Sequence, residues 1–169
     1  KKRRVLSENE MQKLKIACLK IGKPYVFDIL RFYVLTGFRK TELFRIEKDH
    51  VDLNQGTLLM PDQKNATHNQ IIYLNSEALK IAENQISKNP GSMLFNTTNF
   101  RKIWEKVRKV AEIDNFDIHS FKHTATTNVA KHVRNREELK AFTRHKSDLA
   151  LKHYVHLIEE EDKKRIAEL

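Results

Sequence analysis

Apolar residues recur at three- and four-residue steps along most of the chain, which is a helical period. Met11, Leu14, Cys18 and Ile21 follow Ser7-Glu8-Asn9-Glu10, a Ser-x-x-Glu capping box, and predict a first helix with one buried face. Cys18 sits on that face as a packing residue. Gly22 and Pro24 interrupt the pattern. Residues 24–35 then carry Val26, Phe27, Ile29, Leu30, Phe32, Tyr33, Val34 and Leu35, apolar on nearly every side. That predicts a central helix buried all round, with Pro24 in its first turn and Gly37 as its C-terminal cap. A short helix is expected over 39–45. The period then changes. Val51–Gly56 reads as strand and turn, Thr57–Met60 as a strand closed by Pro61, and Gln70–Leu74 as a third strand rich in β-branched and aromatic residues. Helical patterns return at about 76–87, 99–111, 120–132, 136–142, 148–157 and 160–168. The expected fold class is α+β and mainly α-helical: a helical domain with a small three-stranded antiparallel sheet at its edge. Tyr25, Tyr33 and Tyr73 are expected in the core, as is the stripe Phe100, Ile103, Trp104 and Val107.

Composition narrows the class of protein. The chain has 169 residues, 40% of them hydrophobic, which suits one domain with a real core. One Cys excludes an intrachain disulfide and a multi-cysteine metal site. No apolar run approaches the roughly 18 residues of a membrane span, and the Lys1-Lys2-Arg3-Arg4 start is not followed by a signal-peptide core. The absent initiator Met suggests a fragment or a processed chain. The net charge is +10, and residues 155–169 hold five acids against three bases, so residues 1–154 carry the whole excess. A basic body of this kind favours a polyanion, and nucleic acid is the usual one.

Candidate chemistry lies in segments far apart in sequence. His119, His123, His132, His145, His153 and His156 cluster late in the chain. His119 and His123 have the spacing of a metal pair, but Ser120 stands where a zinc protease needs Glu. Thr36-Gly37-Phe38-Arg39-Lys40-Thr41-Glu42-Leu43 places an Arg and a Glu after a glycine turn. His119-Ser120-Phe121-Lys122-His123-Thr124 follows 80 residues later, then Arg144-His145, and Tyr154 nine residues past His145. Read singly, Arg39 is a surface partner for Glu42, His145 a cap, and Tyr154 a surface residue among Lys152, His153 and His156.

The order and spacing of these motifs resemble the tyrosine recombinase (phage integrase) family over essentially the whole chain. That resemblance implies a metal-free and cofactor-free DNA strand transferase, a site-specific recombinase or integrase working through a 3′-phosphotyrosine. Tyr154 matches the nucleophile and Arg39 the first catalytic arginine. His119 and His145 match the two histidine positions. Lys64, in the turn between the second and third strands, matches the lysine that protonates the leaving 5′-oxygen. Glu42 matches an acid that orients a catalytic cation, and His123 a supporting residue of the second box.

Two positions depart from the pattern. Lys122 stands where the family has Arg, which keeps charge but loses a bidentate fork, a change of about 1.5–3 kcal/mol and an expected loss of activity. Arg144 replaces the usual Gly before His145, where it could partly compensate on the phosphate. A natural variant, a deliberate substitution and a degenerate enzyme all stay open, the first two favoured because the other positions are intact. The rival functions are a DNA-binding or assembly protein that has lost catalysis, and a type IB topoisomerase. The resemblance further implies double-stranded DNA as partner, a monomer when free and a synaptic tetramer on DNA. It implies no membrane partner, and a bacterial or archaeal cytoplasm with nucleoid association. Residues 1–169 are expected to form one catalytic domain lacking the family's N-terminal core-binding domain, which predicts weak, salt-sensitive DNA binding. Residues 158–169 are expected to be a docking tail that packs in cis or in trans.

Overall fold

Ser7 opens the first helix in the predicted way. Its hydroxyl accepts from the Glu10 N–H at 3.1 Å, and its own N–H donates to the Glu10 carboxylate at 3.2 Å. The computed structural model describes residues 4–60, 70–144 and 148–169. Helix α1 (Glu8–Ile21) leads through Gly22 into α2 (Pro24–Thr36), which packs against α1 and two later helices. Val26, Ile29, Leu30, Phe32 and Tyr33 of α2 are all buried, as an all-round apolar helix requires. Gly37 ends α2 in the left-handed conformation, φ 65°. A Cβ there would lie 3.0 Å from the Phe142 ring, so both backbone and packing call for glycine. That turn delivers the short helix α3 (Lys40–Leu43).

Strands β1 (Val51–Asp52), β2 (Thr57–Met60) and β3 (Gln70–Tyr73) form one antiparallel sheet in that order. The register pairs Leu58 with Ile72 and Thr57 with Tyr73. Side chains alternate across a sheet, so Leu58 and Ile72 face the core, while Leu59, Ile71 and Tyr73 share the other face. Tyr73 is therefore 80% exposed, which corrects the expectation that it is a core residue. An apolar run in an edge strand buries one face only.

Helices α4 (Ser76–Lys88), α5 (Phe100–Val110), α6 (Ser120–Ala130), α7 (Arg136–Thr143) and α8 (Lys152–Ala167) complete the order, with a 3-10 turn at Asp148–Leu151. The two last helices read from the sequence are one. Nothing between residues 157 and 160 breaks a helix, and ion pairs Glu161–Lys164 and Asp162–Arg165 brace its polar end. The main core gathers α1, α2, the sheet, α4 and α5 around an aromatic cluster. Phe121 of α6 contacts Tyr33, Trp104 and Phe116 with ring centroids 5.7, 5.3 and 4.9 Å away. A separate, smaller cluster joins Ala130, Leu139, Leu151, Tyr154 and Ile158. Helix α6 touches both, and packs on α2, α7 and α8.

Candidate active site

The groove between the two clusters is built from three chain segments. The first is the Gly37 turn. Phe38 is driven into the core, and Arg39 follows at the entry to α3 with its side chain exposed. The Arg39 N–H donates to Glu42 Oε1 at 2.8 Å, which closes the first turn. The Arg39 guanidinium is not the partner of Glu42. That partner is Arg144, whose two terminal nitrogens donate to the two Glu42 oxygens at 2.8 and 2.9 Å. Burial by itself would raise the Glu42 pKa. The Arg144 fork, the Arg39 N–H and the nearby Lys122 charge together outweigh it and hold the carboxyl below its ordinary value.

The second segment is the start of α6. Asp117 caps it, accepting from the Ser120 N–H at 3.0 Å and the Ser120 hydroxyl at 2.9 Å. His119 precedes the helix and is exposed, while Phe121 anchors the first turn in the aromatic cluster. Lys122 and His123 then project from the side opposite to that anchor. Lys122 is half-buried, with its amine pushed down to about 8. Burial is the main cause, Arg39 adds to it, Glu42 opposes it and Arg144 adds further. Lys122 makes no ion pair among the described residues.

The third segment is α8. Tyr154 shares a face with Leu151 and Ile158, at helical spacing, and is only 8% exposed. Lys152, His153 and His156 point to solvent. Tyr154 thus leaves the basic surface where sequence neighbours put it and turns inward. Its hydroxyl lies 2.8 Å from His123 Nδ1. In the tautomer that leaves Nδ1 without a proton, the imidazole accepts the phenolic O–H and a proton acceptor is in place.

A hollow of about 540 Å³ is lined by Arg39, His119, Lys122, His123 and Tyr154, together with Tyr33 and Lys40. The fold therefore brings five of the eight candidate residues to one groove and seats a sixth, Glu42, behind it. Lys64 and His145 lie outside the described residues. Two residues take parts that the sequence did not suggest. Tyr33, expected as core, has its hydroxyl buried at the groove and without a hydrogen-bond partner among the described residues. Arg144 does not line the groove, and its fork is engaged by Glu42, not held ready for a phosphate. Nothing in the local sequence pairs residues 102 positions apart. No group of three metal-ligating side chains occurs among the described residues.

The model of the phage integrase family matches residues 4–161. A shufflon-specific DNA recombinase of Escherichia coli is 24% identical over 134 residues, 78% of this chain and 35% of that protein. The catalytic domain of bacteriophage HP1 integrase superposes with a TM-score of 0.75 at 18% identity, covering 98% of this chain and 95% of that one. The Tn1549 transposon integrase in complex with transposon right end DNA gives a TM-score of 0.79 at 16% identity, covering 99% and 67%. The chain belongs to the phage integrase family and has the fold of an integrase catalytic domain. It spans about a third of the length of its curated relative.

Proposed function

We propose that the chain is the catalytic part of a site-specific recombinase or integrase that cuts and rejoins double-stranded DNA by transesterification. The observation that carries this is the convergence of Arg39, His119, Lys122 and Tyr154 on one groove from segments up to 115 positions apart. The Tyr154 oxygen attacks a backbone phosphorus, and the bond from phosphorus to the 5′-oxygen breaks. The phenolic proton passes to an acceptor such as His123. The leaving oxygen takes a proton from Lys64, and the products are a 3′-phosphotyrosine and a free 5′-hydroxyl. Attack by a 5′-hydroxyl of another strand reverses the step and completes an exchange. Arg39, His119, Lys122 and His145 offset the charge that grows on the non-bridging oxygens, which is work preorganised donors do well in a partly dehydrated groove. No metal or cofactor enters this scheme.

A second hollow of about 920 Å³ adjoins the first through Lys40 and Ile118 and adds Arg101 and Arg108. It carries both signs of charge, since Glu105 and Asp117 also line it and Arg108 is bonded to Glu105 at 3.1 Å. Assembly into a tetramer on DNA, with residues 158–169 docking on a neighbouring copy or back on their own, belongs to the same proposal.

The test is the full chain mixed with a pool of nicked suicide duplexes of randomised sequence. The expected result is a protein–DNA adduct that survives SDS and is absent from Tyr154→Phe. An adduct that persists in Tyr154→Phe overturns the nucleophile. No adduct from the chain or from Lys122→Arg leaves DNA binding without catalysis as the function.

A further inference from the structure

Arg144 is the most unusual residue near the groove. It caps α7 in the left-handed conformation, φ 60°, which residues with a Cβ avoid. Its side chain crosses to α3, lies over the Phe38 ring with the guanidinium carbon 4.7 Å from the centroid, and forks onto Glu42. Both partners are largely buried, with 13% and 17% of their side chains exposed. A strained backbone, a ring contact and a bidentate pair all fix one arrangement.

That arrangement has two consequences for the groove. Glu42 Oε1 also accepts the Arg39 N–H, so the fork braces the turn from which Arg39 starts. Glu42 is also the only carboxylate among the described groups that act on the charge of Lys122. The other charged or titratable groups around Lys122 are Arg39 and Lys40 from the α3 entry, His119 and His123 from its own helix, Tyr33 from α2, Tyr154 from α8 and Arg144 itself, whose charge also pushes the Lys122 amine down. With both Glu42 oxygens held by Arg144, Glu42 acts on the Lys122 ammonium only from a distance, and no direct ion pair joins them among the described residues.

We propose that Arg144 is a positioning residue and not a phosphate ligand: by occupying Glu42 it braces the Arg39 turn and keeps Glu42 from neutralising Lys122. The inference rests on the strand-transferase reading for its catalytic meaning, but not for its physical test. Without Arg144, Glu42 is free to swing to Lys122, and a salt bridge forms inside the site. Two cations would then become one, at the place where a phosphate must bind.

The decisive experiment is a double-mutant cycle read in two ways. Without DNA, the pH dependence of Lys122 acylation by an amine reagent is followed by mass spectrometry. Arg144→Met should move the Lys122 midpoint up by about one pH unit, a tenfold change in the protonation ratio. Adding Glu42→Gln should bring it back down, because Gln has no charge but still offers an oxygen to the Arg39 N–H. With the suicide duplexes, Arg144→Met should slow adduct formation about ten- to a hundredfold, and the double variant should recover at least tenfold of that loss. A Lys122 midpoint unmoved in Arg144→Met overturns the proposal. So does a double variant no faster than the single one, the result expected of a lost phosphate ligand. Should Arg144→Met not fold, Arg144→Lys keeps the charge but reaches one oxygen only, and an unmoved midpoint there also overturns it. If the unaltered chain forms no adduct, the strand-transferase reading fails while the acylation arm still decides the inference.

Discussion

The two sides of the groove are held in very different ways. Arg39, His119 and Lys122 are mounted on the main core, where Phe121 is ringed by Tyr33, Trp104 and Phe116 and is completely buried. Tyr154 is mounted on the small cluster of Ala130, Leu139, Leu151 and Ile158, which contains no other aromatic residue. Interlocked aromatic rings resist displacement, whereas a few aliphatic side chains leave a helix easier to shift. On the proposed reading, the cations that would receive a phosphate stand on the more tightly packed side, and the nucleophile on the more lightly packed one. For a reaction that must place one tyrosine against a phosphate and later release the strand, that division is useful.

The sharpest way to break the contrast is to damage each side in turn. Phe121→Ala should cost about 3–5 kcal/mol of global stability, the usual range for a buried Phe. Leu151→Ala should cost about 2–3 kcal/mol, at the lower end for Leu because a small cluster can close around the gap. Urea unfolding measures both. Hydrogen exchange separates them further. In Leu151→Ala, faster exchange should be confined to α8 and its neighbours, with α2 unchanged. Equal loosening of α2 and α8 would show one cooperative core and remove the distinction.

The main core was the more legible side in the sequence. Helices α1 and α2 announce themselves through the Ser7–Glu10 box, the apolar period and the glycines at 22 and 37, because these signals are local. The sheet was readable as three strands, but Tyr73 was misplaced, since an apolar residue does not reveal which face of an edge strand it takes. The groove residues were found through motif order. What they touch was not. The Glu42–Arg144 fork joins positions 102 residues apart and depends on a left-handed cap that no Arg advertises. Tyr154 looked like a surface residue because its sequence neighbours are basic. Its burial follows from Leu151 and Ile158, one helical turn away on each side.

The rigid side also makes a pH prediction. Lys122 has an ordinary value of 10.5 and is pushed down to about 8 in the fold. Below pH 8 both folded and unfolded chains carry the ammonium, and its burial destabilises the fold in full. Between about 8 and 10.5 the unfolded chain binds the extra proton, so this contribution to stability rises with pH. Glu42 runs the other way at the acid end. Its lowered value supports the fold above the ordinary 4.5, and that support is lost as pH falls through the folded value. If Lys122 serves the phosphate as proposed, adduct formation needs its charge and should fall across the pH window in which the fold gains stability. Lys122→Arg cannot titrate there and restores a fork. It should react about tenfold faster at pH 7.5, with its advantage over the unaltered chain widening up to pH 9.5. A ratio that stays constant with pH would show that Lys122 does not serve the phosphate as a cation.

The smallest expected effect probes the wall between the two regions. Tyr33 stacks on Phe121 at 23° between ring planes, yet its hydroxyl is buried at the groove with no partner among the described residues. Burial pushes that hydroxyl well above its ordinary value, with the Glu42 charge adding to the shift, so it remains a protonated donor. A buried donor without a partner costs stability, so Tyr33→Phe should leave the fold unchanged or stabilise it by up to about 1 kcal/mol. The stacked ring and the aromatic cluster would be kept. A loss of more than about 1 kcal/mol in urea unfolding would show that the hydroxyl is bonded within the fold. It would then be a strut across the groove, tying the main core more closely to the α8 side than the packing alone does.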